Sequence, residues 1–354
     1  MTLGARVRGA RALASLAAAL ARGSFGSERP FKATVVLTER CDCRCEICWI
    51  WKKPKGVEPT PDDVARFLRG ARTIRWLNLT GGELFLRDDV LEVVARAHEA
   101  EPRLAVLDFP TTGQRTEAIV KAAQGIARLG IPRVFVTVSV EGPPALHDRL
   151  RGREGAFERM IETYRRLREV RGVSPFLGLT LSDRNAHAVD ETLAALAARL
   201  PGFRERDVHV NVATTSGHYY DNLAAGVSKP GDPGAAVRRI LARRRARWSL
   251  TDQLEATYLG LLDRHVRTGR SPLPCRSLFT SVFVAPSGEV HPCTVFDRPL
   301  GNAYATPLAQ LLRTPAAAAA RADVAADRCP GCWSPCEAYQ TILTSLPRAI
   351  LATR

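Results

Sequence analysis

The most informative absence in this 354-residue sequence is the lack of any cysteine between Cys48 and Cys275. The nine cysteines instead form groups, with four between Cys41 and Cys48 and three between Cys329 and Cys336. An extracellular disulfide framework would distribute its cysteines along the chain. Clustering of this kind indicates metal ligation in a reducing compartment, and we therefore expect a cytoplasmic protein.

The sequence also lacks an apolar run long enough to span a bilayer. The run Ala12–Ala21 follows Arg6, Arg8 and Arg11 and superficially resembles the start of a secretory signal. It is far shorter than the ~20 residues that a transmembrane helix needs. We expect residues 1–28 to form a basic and apolar helix packed on the domain. Export and attachment to a membrane surface are the alternatives.

Acidic residues are scarce relative to basic ones, with 36 Asp and Glu against 51 Lys and Arg, which gives a net charge of +15. Such a field attracts acidic partners, including nucleic acid, a membrane surface, an acidic peptide or an acidic electron donor. The basic residues occur throughout the chain rather than in one block. Charge alone therefore selects no partner.

Apolar strands alternate with helix-length segments from Lys32 to about Val212. This alternation predicts parallel pairing, and six β/α units predict an α/β fold, a partial (β/α)6 TIM-type barrel over residues 29–225. The expected strands are Lys32–Thr38, Arg75–Leu79, Arg103–Phe109, Arg133–Val140, Pro175–Leu181 and Asp207–Val212.

Two further segments follow the barrel. Proline and glycine at positions 230, 231, 233 and 234 open a helical connection over residues 226–270. We expect helices there over Ala235–Arg247 and Thr251–Arg267. Residues 271–354 then form a small cysteine-rich domain with a hairpin at Pro286–Gly288.

A three-cysteine pattern lies directly after the first strand. Cys41, Cys45 and Cys48 have the spacing Cys-x3-Cys-x2-Cys. Three thiolates can hold a 4Fe-4S cluster and leave one iron open for a substrate. Cys43 lies outside this pattern, and we expect it to bind no metal. The alternatives are a redox dithiol, or a zinc site that takes Cys43 as a fourth ligand.

A glycine pair follows the second strand, in Gly81-Gly82-Glu83. Paired glycines let the backbone approach a ligand closely, and the carboxylate can accept a hydrogen bond from an ammonium group.

Together, the cysteine loop and this turn resemble the radical S-adenosylmethionine (radical SAM) superfamily from about Thr34 to Val212. The resemblance implies that the three cysteines hold a 4Fe-4S cluster whose open iron chelates S-adenosylmethionine, and that Gly81, Gly82 and Glu83 bind its methionine ammonium. Three more residues match cofactor contacts of that family. They are Ser139 and Glu141 for the ribose, and Thr112.

The resemblance also implies a mechanism. Reductive cleavage of S-adenosylmethionine gives a 5'-deoxyadenosyl radical, which takes a hydrogen atom from the substrate. No catalytic side chain is assigned beyond the cluster. A low-potential electron donor is required, and the +15 charge suits an acidic one of the flavodoxin or ferredoxin type.

The five C-terminal cysteines, from Cys275 to Cys336, resemble the auxiliary-cluster domain called SPASM, or its shortened form called Twitch. Five cysteines cannot supply the eight ligands of two complete cubanes, so we expect one auxiliary 4Fe-4S cluster, with a structural zinc site as the alternative. Four of five residues would ligate it: Cys275, Cys293, Cys329, Cys332 and Cys336.

The substrate is expected to be a peptide, a protein side chain or a small natural product that becomes oxidised or crosslinked. His218 and Tyr219, in the loop after the sixth strand, are candidate substrate contacts because that loop lies on the active face of a barrel. The alternatives are an RNA-modifying radical SAM enzyme and a non-catalytic zinc or electron-transfer protein.

Overall fold

One eight-stranded sheet organises the chain. The computed structural model describes residues 3–54, 56–227, 233–243 and 250–353. The strands, in chain order, are β1 Lys32–Thr38, β2 Trp76–Gly81, β3 Val106–Thr111, β4 Arg133–Val140, β5 Ser174–Leu181, β6 Val208–Val212, β7 Ser281–Val284 and β8 Val290–His291.

The sheet order is β6-β5-β4-β3-β2-β1-β7-β8. Every pair of neighbours is parallel except β7 and β8, which form the predicted antiparallel hairpin around Gly288. The predicted α/β fold with six β/α units is confirmed. The bounds of β1 and β4 agree with the prediction at both ends, whereas β3 begins three residues later than expected, at Val106.

Helices follow each of the first six strands, as parallel pairing requires. In chain order, the helices are α1 Leu3–Ser24, α2 Pro61–Gly70, α3 Val90–Ala100, α4 Thr116–Arg128, α5 Pro144–Arg151, α6 Ala156–Leu167, α7 Val189–Arg199, α8 Pro233–Arg243, α9 Leu250–Thr268, α10 Leu308–Leu311, α11 Pro315–Ala325, α12 Pro335–Leu343 and α13 Leu346–Ala352.

The two faces of the sheet differ in polarity. Along β4, Val136, Val138 and Val140 are fully buried in the main hydrophobic core, whereas Thr137 and Ser139 alternate with them and are half-buried. Side chains alternate between faces along a strand, so Thr137 and Ser139 lie on the second face, which is polar at these positions. We call this second face the inner face. It positions the site described below.

The N-terminal helix α1 packs on the barrel, as predicted. Ala12 is buried against Ala105 and Val106, and the Ser15 hydroxyl accepts a hydrogen bond from Arg75 Nε at 2.5 Å. Among the described residues, no helix combines the length and apolar character needed to cross a membrane.

Helix α12 contacts both ends of the six-stranded parallel unit. Lys32 Nζ on β1 donates to the carbonyl of Cys336 at 2.6 Å, and Ser281 Oγ on β7 donates to Glu337 Oε2 at 2.5 Å. On the opposite side, Tyr339 Oη lies 2.9 Å from Nδ1 of His209 on β6. This helix therefore lies across the gap that the incomplete barrel leaves open.

The predicted boundary after the sixth strand is only partly described. Pro230 and Gly231 lie outside the described residues, as does the end of the expected helix beyond Arg243. The domain limits remain predictions. Strands β7 and β8 extend the sheet of the barrel, so the C-terminal segment shares a sheet with the core.

Candidate functional site

The cysteine loop begins at the carboxyl end of β1 and is fixed at two points by distant backbone. The amide of Arg44 donates to the carbonyl of Arg151 at 2.8 Å, and the amide of Trp49 donates to the carbonyl of Tyr220 at 3.0 Å. Both partners lie in segments that follow later strands of the barrel. The loop therefore has a fixed shape at the carboxyl edge, where barrel enzymes place their active sites.

The four thiols of the loop differ in environment. Burial raises the pKa of Cys45 to about 11 and that of Cys48 to about 12. Cys43 is fully buried, and its hydrogen bond with Cys41, together with burial, raises its pKa further. A bound metal deprotonates a coordinating thiol outright. The Cys41, Cys45 and Cys48 set has the chemistry of a cluster-binding loop.

Gly81 and Gly82 pack against the cysteine loop itself. A Cβ on Gly82 would lie 2.1 Å from the carbonyl oxygen of Arg40, and one on Gly81 would lie 2.2 Å from that of Thr38. The amide of Gly82 donates to the Thr38 carbonyl at 2.9 Å, and the amide of Glu83 donates to the Arg40 carbonyl at 2.8 Å. The glycines therefore allow two loops of the site to touch, a role that the sequence alone did not indicate.

Replacing Gly82 with alanine should destabilise the protein by about 3 kcal/mol, because the clashing atom belongs to the backbone and cannot move aside. Chemical denaturation under anaerobic, reducing conditions measures this. Gly9→Ala is the matched control, since its Cβ would lie 3.8 Å from Pro132 Cγ in ordinary contact and it gains helix propensity. Equal stability of the two variants would contradict the assignment.

Glu83 is fully buried, and its carboxylate contacts the loop after β3. Thr111 Oγ1 donates to it at 3.0 Å and the amide of Thr112 donates at 2.6 Å. Burial raises the pKa of Glu83, and the bonds to Thr112 oppose that shift. Glu83 thus joins the turn after β2 to the turn after β3. That this turn, with Thr112, binds a cofactor remains a prediction.

A buried ion pair lies beside the cysteine loop. Arg151 Nη2 donates to Glu141 Oε1 at 2.8 Å, and Arg151 Nη1 lies 3.5 Å from the Cys45 sulfur. Burial raises the pKa of Glu141 to about 7, although Arg151 lowers it. The second carboxylate oxygen, Oε2, is buried and has no hydrogen-bond partner. It is free to accept from a ligand hydroxyl, which fits the ribose contact predicted for Glu141 and Ser139.

Arg151 was not identified as a site residue from the sequence, although it belongs to the charged stretch His147–Gly152 that follows β4. Its spacing carried no information about its partners. Only the fold brings it to Cys45, which lies 106 residues earlier in the chain.

His218 and Tyr219 connect the loop after β6 to the rest of the site. His218 Nε2 lies 3.0 Å from the carbonyl of Cys293, and Tyr219 Oη lies 2.8 Å from Thr80 Oγ1 on β2. Burial and the stacked ring of His291 lower the pKa of His218 to about 4. Both side chains are placed next to the two cysteine groups, and their proposed contact with substrate remains a prediction.

Four of the five C-terminal cysteines line one cavity of about 370 Å³, part of it open to solvent. These four are Cys275, Cys293, Cys329 and Cys332. Cys336 is not among the residues that line it. Burial raises the thiol pKa of Cys336 to about 11, and Lys32, which is bonded to its carbonyl, lowers it. The cavity therefore favours a four-thiolate site without Cys336.

Two sequence matches agree with this geometry. Residues 35–196 match the radical SAM superfamily, and residues 275–333 match SPASM, an iron-sulfur cluster-binding domain. The first match contains the cysteine loop, the glycine turn and the ion pair. The second contains the four cysteines of the cavity and ends before Cys336. These matches confirm the predicted family and the auxiliary iron-sulfur domain.

Two Bacillus subtilis proteins are similar over most of the chain. The sporulation killing factor maturation protein SkfB is 24% identical over 79% of this chain and 64% of its own length. The antilisterial bacteriocin subtilosin biosynthesis protein AlbA is 21% identical over 80% of this chain and 59% of its own. The chain thus spans about three fifths of the length of these curated relatives.

A solved structure shows the same fold. Streptococcus suis SuiB bound to the precursor peptide SuiA aligns with a TM-score of 0.59 at 16% identity, over 85% of this chain and 68% of SuiB.

Proposed function

Because this chain carries a radical SAM domain followed by a SPASM iron-sulfur domain, we propose that it is an enzyme that cleaves S-adenosylmethionine reductively and then oxidises or crosslinks a peptide. The observation that carries this proposal is the fixed loop with Cys41, Cys45 and Cys48 at the carboxyl end of β1. When bound there, a 4Fe-4S cluster supplies the electron that breaks the C5'–S bond of S-adenosylmethionine, which gives methionine and a 5'-deoxyadenosyl radical.

The surrounding residues position the cofactor. Gly81 and Gly82 hold the turn against the cysteine loop, and Glu141 Oε2 accepts a hydrogen bond from a ribose hydroxyl. Arg151 orients Glu141 and offsets the negative charge of the Cys45 thiolate. The four cysteines that line the C-terminal cavity would hold an auxiliary cluster.

The peptide substrate is proposed from the relatives. SkfB is a maturation protein, AlbA serves bacteriocin biosynthesis, and SuiB binds a precursor peptide. The polar inner face of the barrel suits a peptide, since its side chains can pair with backbone amides and carbonyls. Arg44 and Lys52 are exposed beside the cysteine loop and would attract an acidic electron donor in the cytoplasm.

The test uses anaerobically reconstituted protein, dithionite and S-adenosylmethionine, with synthetic peptides made from each short open reading frame that flanks the gene. We expect 5'-deoxyadenosine to form, and one of these peptides, called here the flanking peptide, to lose two hydrogens by mass spectrometry. Formation of 5'-deoxyadenosine with every peptide unchanged would contradict the peptide proposal. Absence of 5'-deoxyadenosine would contradict the enzyme class.

A further inference from the structure

A hydrogen-bonded histidine, His209, lies on the inner face. His209 Nδ1 is 3.0 Å from Glu255 Oε1 on α9 and 2.9 Å from Tyr339 Oη on α12. Tyr339 also donates to Glu255 Oε2 at 2.5 Å. The carboxylate and the phenol thus fix the ring of His209 from one side.

The strand register places His209 at the level of the cofactor residues. Ser139 on β4 pairs with Gly178 on β5, and Gly178 pairs with His209 on β6. Adjacent strands lie about 4.8 Å apart, so His209 and Ser139 are separated by roughly 10 Å across the inner face. Gly178 between them contributes no side chain, and a Cβ there would lie 2.6 Å from Thr137 Cγ2. The Thr137 methyl group therefore occupies the space that a side chain at position 178 would need.

The hydrogen bonds select one tautomer of the imidazole. With Nδ1 protonated and donating to Glu255, Nε2 carries a lone pair. Nε2 is buried and has no hydrogen-bond partner. An unpaired buried acceptor is costly when it serves only the fold. A histidine held by a carboxylate at Nδ1, with Nε2 unengaged, is instead the arrangement of a proton acceptor.

We propose that His209 is a catalytic residue that accepts the proton released by the substrate, an inference that rests on the proposed function above. Glu255 and Tyr339 are its positioning residues. They orient the ring, and the carboxylate stabilises the imidazolium that forms. Tyr258, whose ring centroid lies 5.5 Å from that of His209, is the remaining titratable group packed against the ring among the described contacts.

The proposed step balances as follows. After a hydrogen atom has left a substrate carbon for the adenosyl radical, that carbon holds one unpaired electron. A substrate N–H, O–H or S–H bond then breaks, its proton goes to Nε2, and its electron pair remains on the heteroatom. One electron would pass to an iron-sulfur acceptor, such as a cluster held by the four cysteines of the C-terminal cavity. The remaining electrons form the new bond between the carbon and the heteroatom.

The experiment compares His209→Gln with the parent enzyme, using the flanking peptide. General base catalysis contributes roughly 10² to 10⁴ in rate, so we expect product formation to fall by about that factor. Formation of 5'-deoxyadenosine and peptide affinity, measured by fluorescence anisotropy, should not change. His187→Gln, at an exposed position after β5, is the matched control and should retain full product formation.

Rescue and pH dependence separate a catalytic from a structural role. Added imidazole should restore part of the product formation in His209→Ala, and the loss of rate on acidification should be present in the parent and absent in His209→Gln. Glu255→Gln, which retains the imidazole, should lower product formation by a smaller factor. Unchanged product formation in His209→Gln, or a parallel fall in product, 5'-deoxyadenosine and iron content, would overturn the proposal. A parent enzyme that forms no 5'-deoxyadenosine would instead overturn the proposed function.

Discussion

Replacement of Cys45 with alanine should reduce 5'-deoxyadenosine formation to background, whereas replacement of Cys43 with alanine should leave it largely intact. A cubane held by three thiolates is stable, whereas the two thiolates that remain in this variant would not hold it. Cys45 also contacts Arg151, so its loss removes one of the two partners of a buried guanidinium, the other being Glu141. The two cysteines lie two positions apart and are both buried, which makes Cys43 a close control.

Liquid chromatography with mass detection measures 5'-deoxyadenosine after dithionite reduction, and iron and sulfide analysis accompanies it. Cys45→Ala should retain only the iron of the auxiliary site. If Cys43→Ala lost activity and iron while Cys45→Ala retained both, the thiol set would be different from the one proposed. A zinc site using all the thiols of the loop would respond to both replacements and would contain no sulfide.

Replacement of Cys332 with alanine should lower the iron content from about eight to about four per chain, because each complete cubane holds four irons. The same replacement of Cys336 should leave about eight irons, since this residue does not line the cavity of the other four cysteines. The pair is closely matched, because both cysteines are half-buried and only four positions apart.

Iron and sulfide analysis, with electron paramagnetic resonance of the reduced protein, checks this result. The signal of the first cluster should remain in both variants, and only Cys332→Ala should lose the second signal. A loss of four irons in Cys336→Ala would show that Cys336 is a ligand and that the cavity does not define the site.

The sequence predicted those parts of the molecule that depend on short segments. The bounds of β1 and β4 agree because each strand is a short run rich in β-branched residues. The cysteine spacing lies within eight residues of one loop, so the local pattern is sufficient to predict the set Cys41, Cys45 and Cys48, which stays a prediction. The C-terminal site was less determined, because spacing allowed any four of five cysteines, and only the fold separates Cys336 from the others.

Contacts between distant segments could not be read from the sequence. Lys32 and Cys336 are 304 positions apart, and His209 and Glu255 belong to a strand and a helix with no shared motif. A charged residue in a buried strand gives no indication of its partner. The packing role of Gly81 and Gly82 could not be predicted for the same reason, since the atoms that exclude a Cβ belong to another loop.

The position of α12 has a consequence for biogenesis. Residues 335–343 leave the ribosome after all eight strands have been made, so until then α12 cannot cover the side of the barrel between β6 and the β1–β7 edge. An iron-sulfur carrier protein would have lateral access to the nascent cysteine loop during that interval. Once α12 has docked on Lys32, Ser281 and His209, it covers this side of the barrel and would close that route of access.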